Sequence, residues 1–129
     1  MKTYAFRLKT GQLLREEIDK AVSRHNIKAG VVLACVGHLT KAVLRMADDR
    51  IVKTLEGKFE IVSLTGTVES GNSHIHISIS DEDGKTWGGH LKMGSVVGIT
   101  AEIVIAELPE LSFRREYDDT TGFEELVVG

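Results

Sequence analysis

The sequence predicts an α+β fold in which one long N-terminal helix packs on a central, mostly antiparallel or mixed β-sheet. Two observations predict it. Apolar residues recur with helical spacing once, within residues 11–26, whereas the rest of the chain consists of short β-forming segments separated by turn signals. The length of 129 residues is typical of one domain, and we expect residues 1–129 to form a single compact unit.

The N-terminal segment predicts a strand followed by the helix. Tyr4, Phe6 and Leu8 occupy alternate positions, as in a half-buried strand. Thr10 is the expected helix N-cap, and Gly11 permits a turn there. The helical stripe within GQLLREEIDKAVSRHN consists of Leu14, Ile18, Ala21, Val22 and His25, widened by Leu13, with Asn26 as its stop.

The remaining segments predict strands. The apolar run GVVLACVGHL is typical of a buried strand, and KAVLRMA and RIVKTLE flank DDR, which indicates a hairpin. Further strands are predicted in KFEIVSLTGTV, SHIHISIS, KTWGGHL, VGITAEIVIAEL, LSFRREYD and FEELVV. The DEDG between SHIHISIS and KTWGGHL is a turn signal in which Gly84 can adopt a positive φ.

Composition excludes several classes of protein. The net charge of −3 argues against a dedicated nucleic-acid binder, which carries an excess of Lys and Arg. A lone cysteine, Cys35, cannot form a disulfide within the chain, and its apolar surroundings favour an inert core thiol. The N-terminus lacks the apolar region of a signal peptide, and no apolar run is long enough to span a bilayer. We therefore expect a cytoplasmic protein.

Histidines are the feature that points to a functional site. In SHIHISIS, residues 73–80, His74 and His76 alternate with isoleucines. Because alternate side chains of a strand share a face, we expect the isoleucines to face the core and the histidines to face the opposite side. The Cα atoms of His74 and His76 would be roughly 6.6 Å apart, which lets two imidazoles converge on one ion.

His90 is predicted to complete this site. If the segments on either side of DEDG pair as a hairpin, His90 returns beside His74 or His76. Gly88 and Gly89 precede it and leave room for a ligand or for the close approach of another backbone. Three histidines suit zinc or another borderline divalent ion, with one coordination position open. The plainer interpretation is that these histidines only decorate the solvent face of a half-buried sheet.

Three further polar residues have alternative interpretations. Glu102 is a candidate ligand, a carboxylate that orients a ligand, or a general base, but it would equally suit a sheet edge or an interface. For His25 we prefer a helix-end residue that is favoured by the helix dipole. For His38, which follows a glycine, we prefer a polar residue at the end of a buried strand.

The sequence resembles the PPC ("plants and prokaryotes conserved") domain in the segments GVVLACVGHLTKAVLR, LEGKFEIVSLTGTV, HIHISISDEDGKTWGGHL, TAEIVI and FRREYDDTTGFEEL. These segments cover nearly the whole chain in the family's order, and the combined HxH, DxxG and GGH motifs are specific. The resemblance implies a compact fold with a mostly antiparallel sheet and a packed helix, assembled as a homotrimer. It also implies that His74, His76 and His90 are candidate metal ligands, as in prokaryotic members.

Plant members of the family place this domain after AT-hooks and use it to bind partner proteins. A hexapeptide similar to GKFEIV is linked to that role, and its residues here are Gly57, Lys58, Phe59, Glu60, Ile61 and Val62. The Arg-Gly-Arg-Pro core of an AT-hook is absent, so the resemblance is to a stand-alone prokaryotic-type member. With the net charge of −3, we expect at most weak, salt-sensitive binding to duplex DNA.

Two functional classes follow from these observations. The first is a trimeric protein that binds a metal or a small ligand at a histidine-rich site, with or without catalysis. The second is a non-enzymatic module that binds other proteins or associates with DNA. A small cupin is a third alternative, but the Gly and Glu that cupins place around HxH are replaced here by Val68, Ser80 and Asp81.

Overall fold

Eight strands and one helix make up the protein, whose computed structural model describes residues 1–129. In chain order they are β1 (Lys2–Lys9), α1 (Leu14–Arg24), β2 (Gly30–Arg45), β3 (Val52–Val68), β4 (His74–Ser80), β5 (Thr86–Leu91), β6 (Val96–Glu107), β7 (Phe113–Asp118) and β8 (Phe123–Val128). All strand pairings are antiparallel, which confirms the predicted α+β class with a mostly antiparallel sheet.

Six strands form one sheet in the order β1-β6-β2-β3-β4-β5. The long β2 pairs with β3 along one edge, and along its other edge with β6 and then, at Leu44 and Arg45, with β5. As a result β2, β3, β4 and β5 close on themselves, and the end of β2 lies beside the strand that carries His90. β7 and β8 form a separate two-stranded hairpin.

The helix is shorter than the sequence predicts. α1 has 11 residues, and its N-cap is Leu13, without a side-chain cap, rather than Thr10. The segment before it pairs with β6 instead, because the Gly11 N–H donates to the Val97 carbonyl and the Val97 N–H donates to the Gln12 carbonyl, each at 2.9 Å. Backbone groups committed to a strand are not available for a helical turn, so the long helix is wrong.

The predicted apolar face of α1 is confirmed in its central part. Its buried side chains include Leu14, Ile18, Ala21 and Val22. The two ends of the predicted stripe are not buried: Leu13 is 38% exposed, and His25 is the exposed C-cap residue. Asn26 follows with φ at +50°, a left-handed conformation that ends the helix as predicted.

Two pairs of predicted strands are each one continuous strand. GVVLACVGHL and KAVLRMA both contribute to β2, and RIVKTLE and KFEIVSLTGTV both contribute to β3. The register between β2 and β3 shifts between Leu39 and Lys41, at the point where the sequence pattern is interrupted. A β-bulge absorbs such an irregularity by bending the strand without ending it. The DDR turn between β2 and β3 is confirmed.

One apolar core joins α1 to all six strands of the large sheet. The isoleucines of β4 lie in it, with exposed fractions of 0%, 4% and 0% for Ile75, Ile77 and Ile79. Cys35 lies there too, which confirms its predicted place in the core, and burial raises the pKa of its thiol to about 12. No helix combines the length and the apolar character that a bilayer crossing requires.

Candidate metal centre

The β4–β5 hairpin brings the three predicted histidines together. His76 lies directly opposite His90, and His74 lies two residues away on β4. The turn between the strands has Gly84 at φ +83°, as the DEDG motif predicts. His74 and His76 are exposed and His90 is half-buried, whereas the intervening isoleucines are in the core. The predicted division of β4 into a core face and an imidazole face is therefore confirmed.

The imidazoles of His74, His76 and His90, called here the histidine triad, form a compact cluster. Their ring centroids are 4.9 Å apart for His74–His76, 5.1 Å for His74–His90 and 5.6 Å for His76–His90. One donor nitrogen of each ring lies within 4.8 Å of the other two. Nitrogens at about 2.0–2.1 Å from one tetrahedral zinc are about 3.3 Å apart, so modest side-chain rotations allow the triad to hold a divalent ion.

Gly89 allows β2 to bring Arg45 next to the triad. Arg45 is the cross-strand partner of His90 on β5. A Cβ atom at position 89 would lie 2.7 Å from the Arg45 carbonyl oxygen and 3.1 Å from the Met46 Cε atom. The absence of a side chain is therefore what permits the two backbones to approach. Of the two predicted uses of the glycine pair, Gly89 serves the close approach of another backbone.

Gly89→Ala is expected to lower the free energy of unfolding by about 1–3 kcal/mol, because the added methyl group forces β5 away from β2. Gly88→Ala is the matched control, since the nearest atom to its Cβ would be the Ile77 carbonyl oxygen at 3.1 Å. The loss in Gly88→Ala should be smaller. Urea unfolding of both metal-free variants measures the difference, and equal stabilities would contradict this account of Gly89.

Burial and nearby positive charge favour the neutral form of two imidazoles. Burial, and after it the guanidinium of Arg45, lowers the pKa of His90 to about 4. Burial also lowers the pKa of His74, and positive charge on His76 and Arg115 adds to the effect. Because neutral imidazole is the form that binds a metal, His74 and His90 are in their ligating form at neutral pH.

The metal-free protein should lose stability as the pH falls from about 6.5 to about 4. The unfolded chain protonates His90 near its ordinary pKa of 6.5, whereas the folded chain does so only near 4. Between these values the unfolded state binds more protons, so acidification lowers the free energy of unfolding. Urea midpoints should depend less on pH in His90→Gln than in the control His25→Gln. A pH-independent midpoint in the unsubstituted protein would contradict the prediction.

Glu102 and His38 lie outside the triad. Glu102 is exposed on β6, opposite Val36 of β2 and Arg7 of β1, and its carboxylate does not belong to the group of donor atoms that could share an ion. Within one chain the structure therefore does not bring Glu102 to the histidines. His38 is half-buried in the middle of β2, against Gly98. Its predicted place at the end of a strand is wrong, because GVVLACVGHL and KAVLRMA form one continuous strand.

The predicted interaction hexapeptide lies on β3. Its Phe59 and Ile61 side chains are buried in the core, with exposed fractions of 4% and 6%. The remaining four residues are exposed, namely Gly57, Lys58, Glu60 and Val62. The segment is thus both a structural strand and an accessible surface, and its role in partner binding stays a prediction.

A cavity of about 400 Å³ adjoins the triad, and residues that the sequence pattern did not single out form part of its wall. His74, His90 and Arg45 line one part of it, and Arg115 of β7 and residues 123–125 of β8 line another. Arg45 and Arg115 both lie in segments that were predicted to be strands. Local patterns do not reveal which strands pair or where the β7–β8 hairpin docks, so no signal in the sequence assigns them to the site.

Comparison with known proteins identifies the family. Residues 1–109 match the family described as the Plants and Prokaryotes Conserved (PCC) domain. The chain belongs to this family. The predicted resemblance is thereby confirmed for the segments within residues 1–109, whereas FRREYDDTTGFEEL lies beyond them. The matched residues end before β7, so the hairpin that borders the cavity lies beyond them.

Curated relatives of this domain are the bifunctional GlmU proteins of two Synechococcus strains. The protein from strain JA-2-3B'a(2-13) is 40% identical over 128 residues, which are 99% of this chain and 20% of the relative. The protein from strain JA-3-3Ab is 39% identical, over 99% of this chain and 21% of the relative. The chain thus spans about one fifth of the length of these relatives.

Solved structures share the fold. A hypothetical protein from Salmonella enterica has a TM-score of 0.96 and 37% identity, over 99% of this chain and 93% of that one. The metal-containing protein AF0104 from Archaeoglobus fulgidus has a TM-score of 0.86 and 27% identity, over 98% and 94%. A Bacteroides thetaiotaomicron protein, whose DNA-binding description is provisional, has a TM-score of 0.87, 97% and 91% coverage, and 21% identity, which establishes the fold alone.

Proposed function

We propose that this domain binds one divalent metal ion per chain, zinc or an ion of similar ligand preference, through His74, His76 and His90. The observation that carries the proposal is the clustering of one donor nitrogen from each ring within 4.8 Å. The lowered pKa of His74 and of His90 supports it, because both rings are neutral near pH 7. The metal-containing relative from A. fulgidus, which has the same fold, is also consistent with it.

The proposed metal site would be suited to catalysis as well as to metal binding. Three histidines occupy three positions of a tetrahedral ion and leave the fourth open. An ion bound in this way supplies Lewis acidity, which activates water or polarises a carbonyl group. His74 and His90 line the cavity, so a small molecule in it would lie beside two of the residues that would hold the ion. The protein's own part is to hold three imidazoles on one face of the β4–β5 strand pair, while the isoleucines on the other face of β4 are buried in the core.

Metal analysis of untagged protein tests this function. We expect one equivalent of metal per chain, either as purified or after exposure to zinc, nickel, cobalt or manganese, as measured by mass spectrometry. Protein that contains no stoichiometric metal and takes up none of these ions would refute the proposal. The triad would then serve as a set of polar contacts for an organic ligand or for another subunit.

We further propose that the chain assembles as a homotrimer. Large apolar side chains are exposed on three adjacent strands, at Leu33 and Val36 of β2, Val62 of β3 and Ile99 of β6, with exposed fractions of 54–66%. Apolar groups gathered on one part of a sheet are typical of a surface that another subunit covers. Light scattering at micromolar concentration should give three times the chain mass of 14.2 kDa. A monomer would contradict the proposal.

A protein-interaction module is the second candidate function, favoured by the exposed Lys58, Glu60 and Val62 of the hexapeptide. It differs from the first in requiring no metal, so alanine variants of the triad would then retain full activity in partner binding. Direct DNA recognition is disfavoured by the net charge of −3. A sequence-specific DNA complex that survives physiological salt would instead favour DNA recognition over protein interaction.

A further inference from the structure

Arg45 is a charged residue beside the triad that forms no salt bridge within the protein. It lies opposite His90 and lines the cavity. Its Nε atom is buried and has no hydrogen-bond acceptor. A buried guanidinium nitrogen without an acceptor costs free energy, so an acceptor that enters the cavity would stabilise Arg45.

The two neighbouring arginines, Arg15 and Arg115, both have partners within the protein. Arg15 forms a 3.2 Å salt bridge with Asp19 and also donates to the backbone carbonyls of Ser73 and Leu91. Arg115 pairs with Glu69 at 3.6 Å. Both are thus committed to holding the structure together, which leaves Arg45 as the arginine available to a ligand.

We propose that the cavity binds a small monocarboxylate, whose carboxylate group is held by the Arg45 guanidinium beside the histidine triad. This inference rests on the proposed function, in that the open position of a triad-bound metal supplies a second contact for the same carboxylate. A guanidinium matches a carboxylate in geometry and can donate two parallel hydrogen bonds to it. The cavity of about 400 Å³ has the size of a small-molecule site.

Other groups in the wall restrict the ligand's charge. Glu124 and Glu125 line the cavity from β8 and contribute negative charge. Their charge disfavours an ion with two or more negative charges, because like charges in a confined site repel. The wall therefore suits a singly charged carboxylate better than phosphate.

The first test uses metal-free protein and does not depend on metal binding. Acetate is added while the Nε–H signals of the arginines are followed by ¹H–¹⁵N NMR, with sodium chloride at matched ionic strength as reference. The Arg45 signal, assigned by its loss in Arg45→Gln, should shift saturably. The Arg50 signal should not, since Arg50 is exposed on the 46–51 turn and paired with Asp48 at 2.9 Å. An unmoved Arg45 signal would overturn the inference.

The second test uses cobalt-loaded protein, whose visible absorption reports anion binding at the metal. Arg45→Gln should keep its cobalt but bind acetate about 10-fold to 100-fold more weakly, because it lacks a charged hydrogen-bond donor. Arg45→Lys should bind acetate with intermediate affinity, and Arg50→Gln should match the unsubstituted protein.

Outcomes of the two tests separate the two proposals. Absence of cobalt uptake refutes the metal site, and the NMR titration alone then decides whether Arg45 binds the carboxylate. Cobalt uptake with equal acetate affinity in Arg45→Gln overturns the inference while the metal site stands. Phosphate that binds as tightly as acetate overturns the assignment to a monocarboxylate.

Discussion

His76→Ala is expected to lower the metal affinity of the protein at least about 100-fold, since loss of a ligand should exceed the 10-fold to 100-fold cost of losing a group that only orients one. The fold should survive the change. His76 is exposed, and the isoleucines on either side of it remain in the core. The free energy of unfolding of the metal-free variant should therefore differ by no more than about 1 kcal/mol.

Competition titration with a zinc chelator measures the affinity, and urea unfolding of metal-free protein measures the stability. His74→Ala and His90→Ala should show the same loss of metal. His25→Ala is the matched control, because His25 lies at the end of α1, where its ring stacks on Tyr4. If His90→Ala alone retained metal, the H-x-H pair would bind the ion without the contribution from β5 that the structure indicates.

Arg115→Ala is expected to lower the free energy of unfolding by about 3 kcal/mol or more. The Arg115 Nε atom lies 3.6 Å from Glu69 Oε1, and the two side chains are only 9% and 8% exposed. Removing the guanidinium leaves a buried carboxylate with no compensating charge. Because Arg115 ties β7 to the large sheet, the β7–β8 hairpin should also become accessible to proteolysis.

Arg114→Ala provides a control on the neighbouring residue. Arg114 pairs with Glu116 at 2.8 Å, but these side chains are 59% and 58% exposed, so its loss should cost only about 0–1 kcal/mol. The double variant Arg115→Met/Glu69→Met should recover most of the lost stability, because apolar side chains can replace a buried ion pair. Equal stabilities of Arg114→Ala and Arg115→Ala would contradict a structural role for the buried pair.

The positions of the three histidines could be predicted from local sequence patterns. The alternation of isoleucine and histidine in β4 determines both faces of the strand, because successive side chains point to opposite sides and burial selects the isoleucines. The DEDG turn then determines that β5 returns beside β4, which places His90 opposite His76. All three histidines of the triad were therefore predictable from residues 73–90 alone.

The surroundings of the triad depended on contacts between distant segments. Arg45 reaches His90 only because the large sheet closes on itself through β2 and β5, and Arg115 reaches the cavity only because its hairpin docks against Glu69. The helix was likewise shortened by pairing of residues 11–12 with β6. Periodicity and turn chemistry act over a few residues, so the sequence by itself determined the strand faces and the hairpin. Strand closure and hairpin docking depend on packing over the whole chain, so only the tertiary structure decided which charges surround the histidines.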